Sequence, residues 1–344
     1  MSSSTDPFLR SRPAALAGGR AWRTFLRRWG ISLASLASGL VTLLIFRRGV
    51  PHVSWIVGYV VGLWLLFAVL SQTRDALLAG GRHLVVAAGD YTIQTLYHGL
   101  LLFVLPGYFA STTFDGITVV FFAVLVAAAL LTTVDPWYRA VVHPRPWLGL
   151  TFFGFSLFAG LNVALPLVGV PPAGAVVLSA ALGALGLTPT FFERAGRWGP
   201  AAARAGTVAL LAVGAAWIAR PAVPPAPVSL VHPTLARTVA DLEPVEPVAR
   251  ISLHELRAWG GLTAFTPVAA PAALQQAIEH RWRHEGRVVS TVRLATPVQG
   301  GRPGGFRTYS RKADFPPDAQ GRWTVDVVTA SGQLIGRLRF QVDS

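Results

Sequence analysis

Apolar residues dominate the first two-thirds of the chain and group into stretches that approach the length of a membrane-crossing helix. A helix needs about twenty apolar residues to cross roughly 30 Å of hydrocarbon. The pattern predicts seven spans: Gly30–Phe46, Val53–Leu70, Leu84–Leu105, Ile117–Val134, Trp147–Leu167, Ala173–Phe192 and Ala205–Ala219. The first is interpreted as a retained helix rather than a cleaved signal peptide, because no clear small-residue cleavage site follows it.

A different pattern begins after residue 219. Residues 220–249 contain seven prolines among valines and scattered charges, and such a density favours an extended polyproline spacer. The sequence therefore predicts a semi-rigid stalk between the helices and the rest of the chain. From residue 250 the apolar positions alternate with polar ones, as in half-buried β-strands.

The alternating region predicts a small all-β domain over residues 250–344. Turn signals such as Gly300-Gly301 and Ser331-Gly332 separate short runs rich in β-branched and aromatic residues. The expected strands are Arg250–Phe265, Ala277–His284, Val288–Leu294, Phe306–Arg311, Trp323–Val328 and Leu334–Val342. The last two should form an antiparallel hairpin, and strands at this spacing favour an immunoglobulin-like sandwich.

Composition agrees with a membrane protein. Hydrophobic residues make up 52% of the chain and charged residues only 13%, about half the charged share of ordinary soluble domains. The absence of cysteine excludes disulfides, thiolate nucleophiles and Cys-ligated metal sites. No cofactor is expected.

The net charge of +14 is better explained by membrane orientation than by nucleic acid, which is not expected as a partner. Thirteen arginines lie in the leader (residues 1–29) and in alternate loops after it, whereas the intervening loops hold only Arg47 and Arg48. The positive-inside rule then places the N-terminus in the cytoplasm of a bacterial inner membrane. Seven crossings would place the β domain outside, in the periplasm of a two-membrane cell.

Three short segments carry a resemblance to a known family. His280-Arg-Trp282, Phe306-Arg-Thr-Tyr309 and Gly321-Arg-Trp323 resemble the C-terminal domain of uncharacterised bacterial multi-pass membrane proteins, the domain of unknown function 2914. The helical region ahead of them is also similar to the usual partner of that domain. One strand departs from the family, because it opens with Phe306 where Trp is frequent. The resemblance implies an architecture and no reaction.

The third predicted span holds a polar stripe. Asp90, Gln94, Tyr97 and His98 share one helix face, and Asn162 is embedded in the fifth span. An acid inside a membrane is a functional hypothesis by default, which suggests a proton or substrate relay. The structural alternative pairs Asp90, near the cytoplasmic end, with Arg74 or Arg82, and treats the other residues as helix-to-helix contacts.

The β domain offers a second candidate surface. Trp282, Arg307 and Tyr309 would form a glycan platform if they were exposed, whereas the alternative places Trp282 in the core. Metal binding is not expected, because His280 and His284 on one strand stand about 13 Å apart.

Taken together, these features favour a bilayer-embedded protein that presents a recognition domain to an envelope glycan or protein partner. An enzyme is the less favoured class, and the alternative is a transporter or proton-coupled membrane enzyme with its site on the third span. Nothing in the sequence indicates an oligomeric state.

Overall fold

The computed structural model describes residues 53–344, in which helices come first and β-strands follow. The predicted leader (1–29) and first span (Gly30–Phe46) lie outside these residues. The helices before the β region are α1 (Val53–Ala79), α2 (His83–Ser111), α3 (Thr118–Thr133), α4 (Asp135–Val141), α5 (Pro146–Leu167), α6 (Pro172–Leu185), α7 (Thr188–Ala195) and α8 (Trp198–Ala219).

Within residues 53–344, five helical segments are long and apolar enough to cross a membrane. They are α1, α2, α5, α6 with α7, and α8 with the turn that follows it. The predicted fourth span differs, because α3 ends at Thr133 and the chain bends by 108° into α4. Val134 is extended at the bend, and Pro136 follows at the start of α4. Within one continuous helix Pro136 would lack the N–H that bonds the Thr132 carbonyl, and its ring would clash with that carbonyl, whereas a proline is tolerated in the first turn of a new helix.

The centre of the helical region is α2, which packs against α1, α3 and α5. Leu100, Leu101 and Tyr108 of this helix are fully buried. The peripheral helices α1 and α8 instead expose large apolar side chains, including Leu65 at 50% and Ile218 at 79%. Exposed apolar area on this scale is unusual for a protein surrounded by water.

The C-terminal part contains thirteen strands and one short helix. The strands are β1 (Ser229–Leu230), β2 (Thr234–Ala240), β3 (Glu243–Val248), β4 (Arg250–Ser252), β5 (Leu262–Phe265), β6 (Val268–Ala269), β7 (Gln275–Gln276), β8 (Ile278–His284), β9 (Arg287–Arg293), β10 (Val298–Gln299), β11 (Tyr309–Lys312), β12 (Gly321–Thr329) and β13 (Leu334–Asp343), and helix α9 spans Leu253–Ala258. A four-stranded sheet has the order β11-β5-β2-β3, and a five-stranded sheet has the order β4-β13-β12-β8-β9. Two further strand pairs, β1-β6 and β7-β10, complete the region.

The β region has a hydrophobic core that both larger sheets supply. Leu235 and Leu262 come from the four-stranded sheet, and Trp282, Val325 and Phe340 come from the five-stranded sheet. The predicted hairpin is confirmed, because β12 and β13 pair antiparallel around the turn at Gly332. The positive φ of Gly332 (88°) is the left-handed conformation that glycine adopts without strain.

The predicted strand Arg250–Phe265 is wrong in its middle. Only its two ends are strands, β4 and β5, and helix α9 lies between them. Ser252 begins this helix with a capping box, in which its hydroxyl accepts from the Glu255 backbone N–H and the Glu255 carboxylate accepts from the Ser252 N–H. The local serine and glutamate pattern is a helix-start signal that overrides the strand-like run.

The predicted stalk over residues 220–249 is also wrong. The segment contains β1, β2 and β3, and β2 pairs with β5 inside the four-stranded sheet. Pro244 and Pro247 lie in β3, which is the edge strand of that sheet. Prolines are tolerated there because one side of an edge strand needs no hydrogen bonds. Two of the seven prolines therefore belong to a sheet edge, and the segment is not a spacer.

The β region lies directly against one end of the helices. In the segment between α8 and β1, Ala226 packs into the helical core and Val228 into the β core. Close approach recurs at Gly169, where a Cβ atom would stand 2.9 Å from the Ala273 carbonyl oxygen. The Gln333 amide also donates to the Val223 carbonyl at 3.3 Å.

An ion-pair network joins the two parts. Asp115, in the loop between α2 and α3, pairs with Arg337 at 2.9 Å and with Arg339. Arg337 also binds the carboxylate of Asp326, which Arg283 contacts at 2.9 Å. Burial would raise the pKa of Asp115, but the hydrogen bonds from Arg339 and Arg337 outweigh it, so its pKa lies below the ordinary value.

Candidate functional site

A cavity of about 450 Å³ opens at the end of the helical region opposite the β strands. Helices α1, α2, α4, α5 and α7 contribute to its walls. Its polar lining comes from Ser71, Arg74, Asp90, Tyr97, Tyr138, His143, Thr190, Glu193 and Arg194. The volume lies within the range of small-molecule sites, and the lining brings both signs of charge together.

Asp90 is held by an arginine of the neighbouring helix. Arg74 Nη1 and Nη2 donate to the two carboxylate oxygens of Asp90 at 3.0 and 2.8 Å. Of the two partners expected from sequence, Arg74 is the one that makes the contact. This bidentate geometry neutralises the acid and fixes α1 against α2.

Gln94 and His98 contact the end of α3 instead of the cavity. The Gln94 amide donates to the Thr132 carbonyl at 3.0 Å and to the Asp135 carboxylate at 2.6 Å. His98 Nδ1 lies 3.0 Å from the Thr133 hydroxyl. Both side chains are buried, so they tie α2 to the bend between α3 and α4.

Tyr97 lines the cavity, and Asn162 lies elsewhere. The Tyr97 ring packs edge-on against Phe152 with centroids 5.2 Å apart. The Asn162 amide donates to the Tyr108 hydroxyl at 3.0 Å, and that hydroxyl donates to the Ala159 carbonyl at 3.1 Å. Tyr108 is ten residues beyond His98 on α2, about 15 Å along the axis. The structure therefore does not bring the five predicted residues together.

Sequence reasoning missed the other half of the cavity. Tyr138, His143, Glu193 and Arg194 reach it from segments remote in sequence from α2. The arginine was visible only as an orientation signal, and no local motif joins these residues. Packing of α7 against α1 places Glu193 and Arg194 beside Asp90.

Trp282 is fully buried and cannot be part of an exposed platform. Its indole N–H donates to the Ser310 hydroxyl at 3.1 Å, across from β8 to β11. His280 lies in the same network, with Nδ1 2.8 Å from the Ser310 hydroxyl and Nε2 2.9 Å from that of Thr266. Burial lowers the pKa of His280 to about 4. These residues join the two sheets.

His284 projects elsewhere. It stacks on Trp323 with centroids 4.5 Å apart, and its Nε2 lies 2.9 Å from the Gln320 carbonyl oxygen. Across residues 53–344, no three His, Cys, Asp or Glu side chains are grouped so that they could hold a metal ion.

The remaining two predicted surface residues line an open groove of about 510 Å³ on the β region. Because Ser310 of β11 faces the core, its neighbour Tyr309 faces outward and is 46% exposed. Arg307 pairs with Glu243 of β3 at 2.7 Å. Arg302 lies over the Phe306 ring at 4.6 Å, a cation–π contact.

A glycine lets the chain form this groove. Gly305 has a φ of 86°, and a Cβ atom there would stand 3.1 Å from the backbone of Val268. Any side chain at this position would force apart the segment that carries Phe306 and the strand β6. Arg302, Phe306, Arg307 and Tyr309 then present guanidinium and aromatic groups along one opening.

Comparison with family models gives two matches. The model of a family of unknown function, DUF5924, matches residues 19–264, and that of a protein of unknown function, DUF2914, matches residues 275–342. The second match supports the resemblance of the C-terminal segments. The first match extends through the helices into β5, so it includes the segment that joins the two cores. No curated protein matches the chain.

Proposed function

The chain belongs to the family of unknown function DUF5924. From this premise we propose that it is an integral inner-membrane protein. We propose further that it recognises an envelope glycan or protein outside the cytoplasm. The helices are the anchor, and the β region, which we expect to be an immunoglobulin-like sandwich, is the recognition module. Its groove at Arg307 and Tyr309 is the binding surface.

Exposed apolar side chains support the membrane placement. Leu65 on α1 and Leu210, Leu211 and Ile218 on α8 face outward, where lipid would cover them. Trp137, Trp147 and Trp198 are exposed at the end that carries the cavity. Trp is enriched at membrane interfaces, so this end fits the level of the lipid headgroups.

The distribution of arginine supports the orientation. The cavity end carries Arg82, Arg145 and Arg197 in its loops and Arg139 in the short helix α4. The loops at the other end, residues 112–117 and 168–171, contain no arginine or lysine. By the positive-inside rule the cavity end is cytoplasmic, and the β region is therefore outside.

The observation that carries the recognition proposal is the combination of side chains in the groove. An outward-facing tyrosine stands beside two arginines and the hydroxyl-bearing Thr296. Aromatic faces suit the apolar side of a sugar ring, and guanidinium donors suit its hydroxyl, carboxylate or phosphate groups. A glycan is therefore the partner that this groove fits best.

The test is binding of envelope glycan fractions to the full chain in detergent. Tyr309→Ala and Arg307→Gln should each weaken retention by about tenfold, the loss expected for one stacking or charged contact. Arg287→Gln on β9 removes another exposed arginine, which does not line the groove, and should bind like the wild type. Equal retention by all variants, or none by the wild type, would exclude this groove.

The second candidate is a transporter or proton-coupled membrane enzyme. The cavity beside Asp90 favours it, although Gln94, His98 and Asn162 make helix-to-helix contacts instead of lining that cavity. If Asp90 reacts, Asp90→Asn should fail to complement a deletion strain while its membrane level is unchanged. Asp75→Asn, an exposed acid on α1, is the control. Complementation by both variants would reject this candidate.

A further inference from the structure

Half of the charged side chains that line the cavity at the arginine-rich end have no protein partner. Arg74 and Asp90 bind each other, as described above. The exposed side chains of Glu193 and Arg194 on α7 also line the cavity, and neither side chain makes an ion pair or hydrogen bond with another residue between 53 and 344. The cavity thus offers one free carboxylate and one free guanidinium, and its paired charges cancel.

The Thr190 hydroxyl lies behind the cavity lining. Thr190 is 6% exposed, and its Oγ1 is inaccessible to solvent and has no hydrogen-bond partner in the described part of the chain. Replacing this hydroxyl by a methyl group should therefore affect a ligand less than the loss of a charge that lines the cavity.

One wall of the cavity is apolar. Phe67, Leu70, Ile93, Val142 and Leu150 form this part of the lining. A ligand that fills the space must therefore have both a charged and a hydrocarbon part. Exposed Trp147 and Trp198 lie near the same end, which is the headgroup level in the proposed membrane placement.

We propose that this cavity binds a zwitterionic phospholipid of the phosphatidylethanolamine type. Arg194 and His143 are the groups for the phosphate, Glu193 is the group for the ammonium, and the acyl chains follow Phe67 and Leu150. A zwitterion fits better than an anion, because the lining holds two arginines and two carboxylates, so its formal charges balance. The inference rests on the membrane placement proposed above and not on the glycan groove.

The experiment is calorimetric titration of the full chain in detergent with three probes. Dihexanoyl phosphatidylethanolamine is the short-chain lipid, glycerophosphoethanolamine is the same headgroup without acyl chains, and dihexanoyl phosphatidylglycerol is an anionic lipid. The proposal predicts saturable binding of the first probe, tighter than that of the other two. Arg194→Gln should weaken it about tenfold, as expected when a charged hydrogen bond is lost.

Arg197→Gln is the matched control, since it removes a charge three residues away that does not line the cavity. It should bind like the wild type, and Thr190→Val should weaken binding less than Arg194→Gln does. Size-exclusion elution confirms that each variant is folded.

Equal binding of glycerophosphoethanolamine would assign the cavity to a soluble headgroup compound and overturn the lipid. Tighter binding of phosphatidylglycerol, no saturable binding by the wild type, or equal loss in Arg194→Gln and Arg197→Gln would also overturn the proposal. Glycan retention by the same preparation is measured separately. A failure of the lipid proposal can therefore be distinguished from a failure of the glycan proposal.

Discussion

Buried polar residues in the β region are held in networks that use most of their hydrogen-bonding capacity. His280 contacts two hydroxyls, and Asp326, which is 3% exposed, is bound by Arg283 and Arg337. Such groups stabilise the fold only while every member is present and in the right charge state. We therefore expect the β region to lose stability when one member of such a network is mutated or changes its charge state in acid.

His280 should make the β region sensitive to acid. The pKa of His280 is about 4 in the folded chain against 6.5 in an unfolded one, so the unfolded state takes up the proton first. The stability is complete above pH 6.5 and falls as the pH drops toward 4, by about 2 kcal/mol at pH 5. Hydrogen exchange of β8, corrected for intrinsic rates, measures this loss. His280→Gln cannot protonate and should show a flatter pH profile, and an unchanged profile would refute the assignment.

Asp326→Asn should destabilise the β region by about 3 kcal/mol. The substitution leaves Arg283 and Arg337 without the carboxylate that neutralises them, and breaking a partly buried pair by removing one partner is costly. Asp318→Asn changes an exposed acid and should be within about 0.5 kcal/mol of the wild type. The midpoint of urea unfolding of the β strands checks both variants. A midpoint for Asp326→Asn equal to that of Asp318→Asn contradicts the network.

At the level of elements, small residues allow close helix packing. A Cβ atom on Gly183 of α6 would stand 3.0 Å from the Gly154 carbonyl oxygen of α5. By contrast, a Cβ atom on Gly214 of α8 would meet nothing within 4 Å. Close backbone approach of this kind is a common source of helix association in membranes.

Gly183→Val should separate α5 from α6 and lower the melting temperature of the detergent-solubilised chain by several degrees. Gly214→Val places the same side chain in open space on α8 and should melt like the wild type. Thermal size-exclusion profiles compare the two. Equal loss in both variants would show that helix propensity, not packing, decides the outcome.

Helix positions followed from apolar length because lipid-facing helices must be apolar along their whole length. The hairpin β12–β13 followed from the period of two. The predicted stalk was wrong, because prolines in an edge strand and prolines in an extended spacer give the same sequence pattern. The bend at Val134 was not predicted either, because a continuous run of apolar residues does not show where a helix bends. The cavity could not be predicted, since Glu193 and Asp90 meet only through tertiary packing.

At the level of the whole molecule, the β region is docked and not suspended. Asp115 anchors it through Arg337 and Arg339, and the segment around Ala226 belongs to the helical core. Binding at the groove therefore acts on a domain in direct contact with the helices. Through this contact, glycan binding at the groove could change the position or stability of the helices.

The docking contact should show energetic coupling. Asp115→Asn and Arg339→Gln should each increase hydrogen exchange in β13, and the double variant should be less than additive by about 1 kcal/mol. Asp115 stays ionised to lower pH than usual, so the coupling should persist at neutral pH and weaken only when acid protonates it. Simple additivity would mean that the pair does not hold the domain.

The central claim is that the β region and the arginine-rich end lie on opposite sides of a membrane. The chain has no cysteine, so single-cysteine variants can be labelled without background. Thr291→Cys lies on exposed β9, and Gly199→Cys lies near the start of α8 with open space around it. A membrane-impermeant maleimide applied to spheroplasts should label Thr291→Cys at once and Gly199→Cys only after permeabilisation. Labelling in the reverse order, or of both sites at once in intact spheroplasts, would contradict the account.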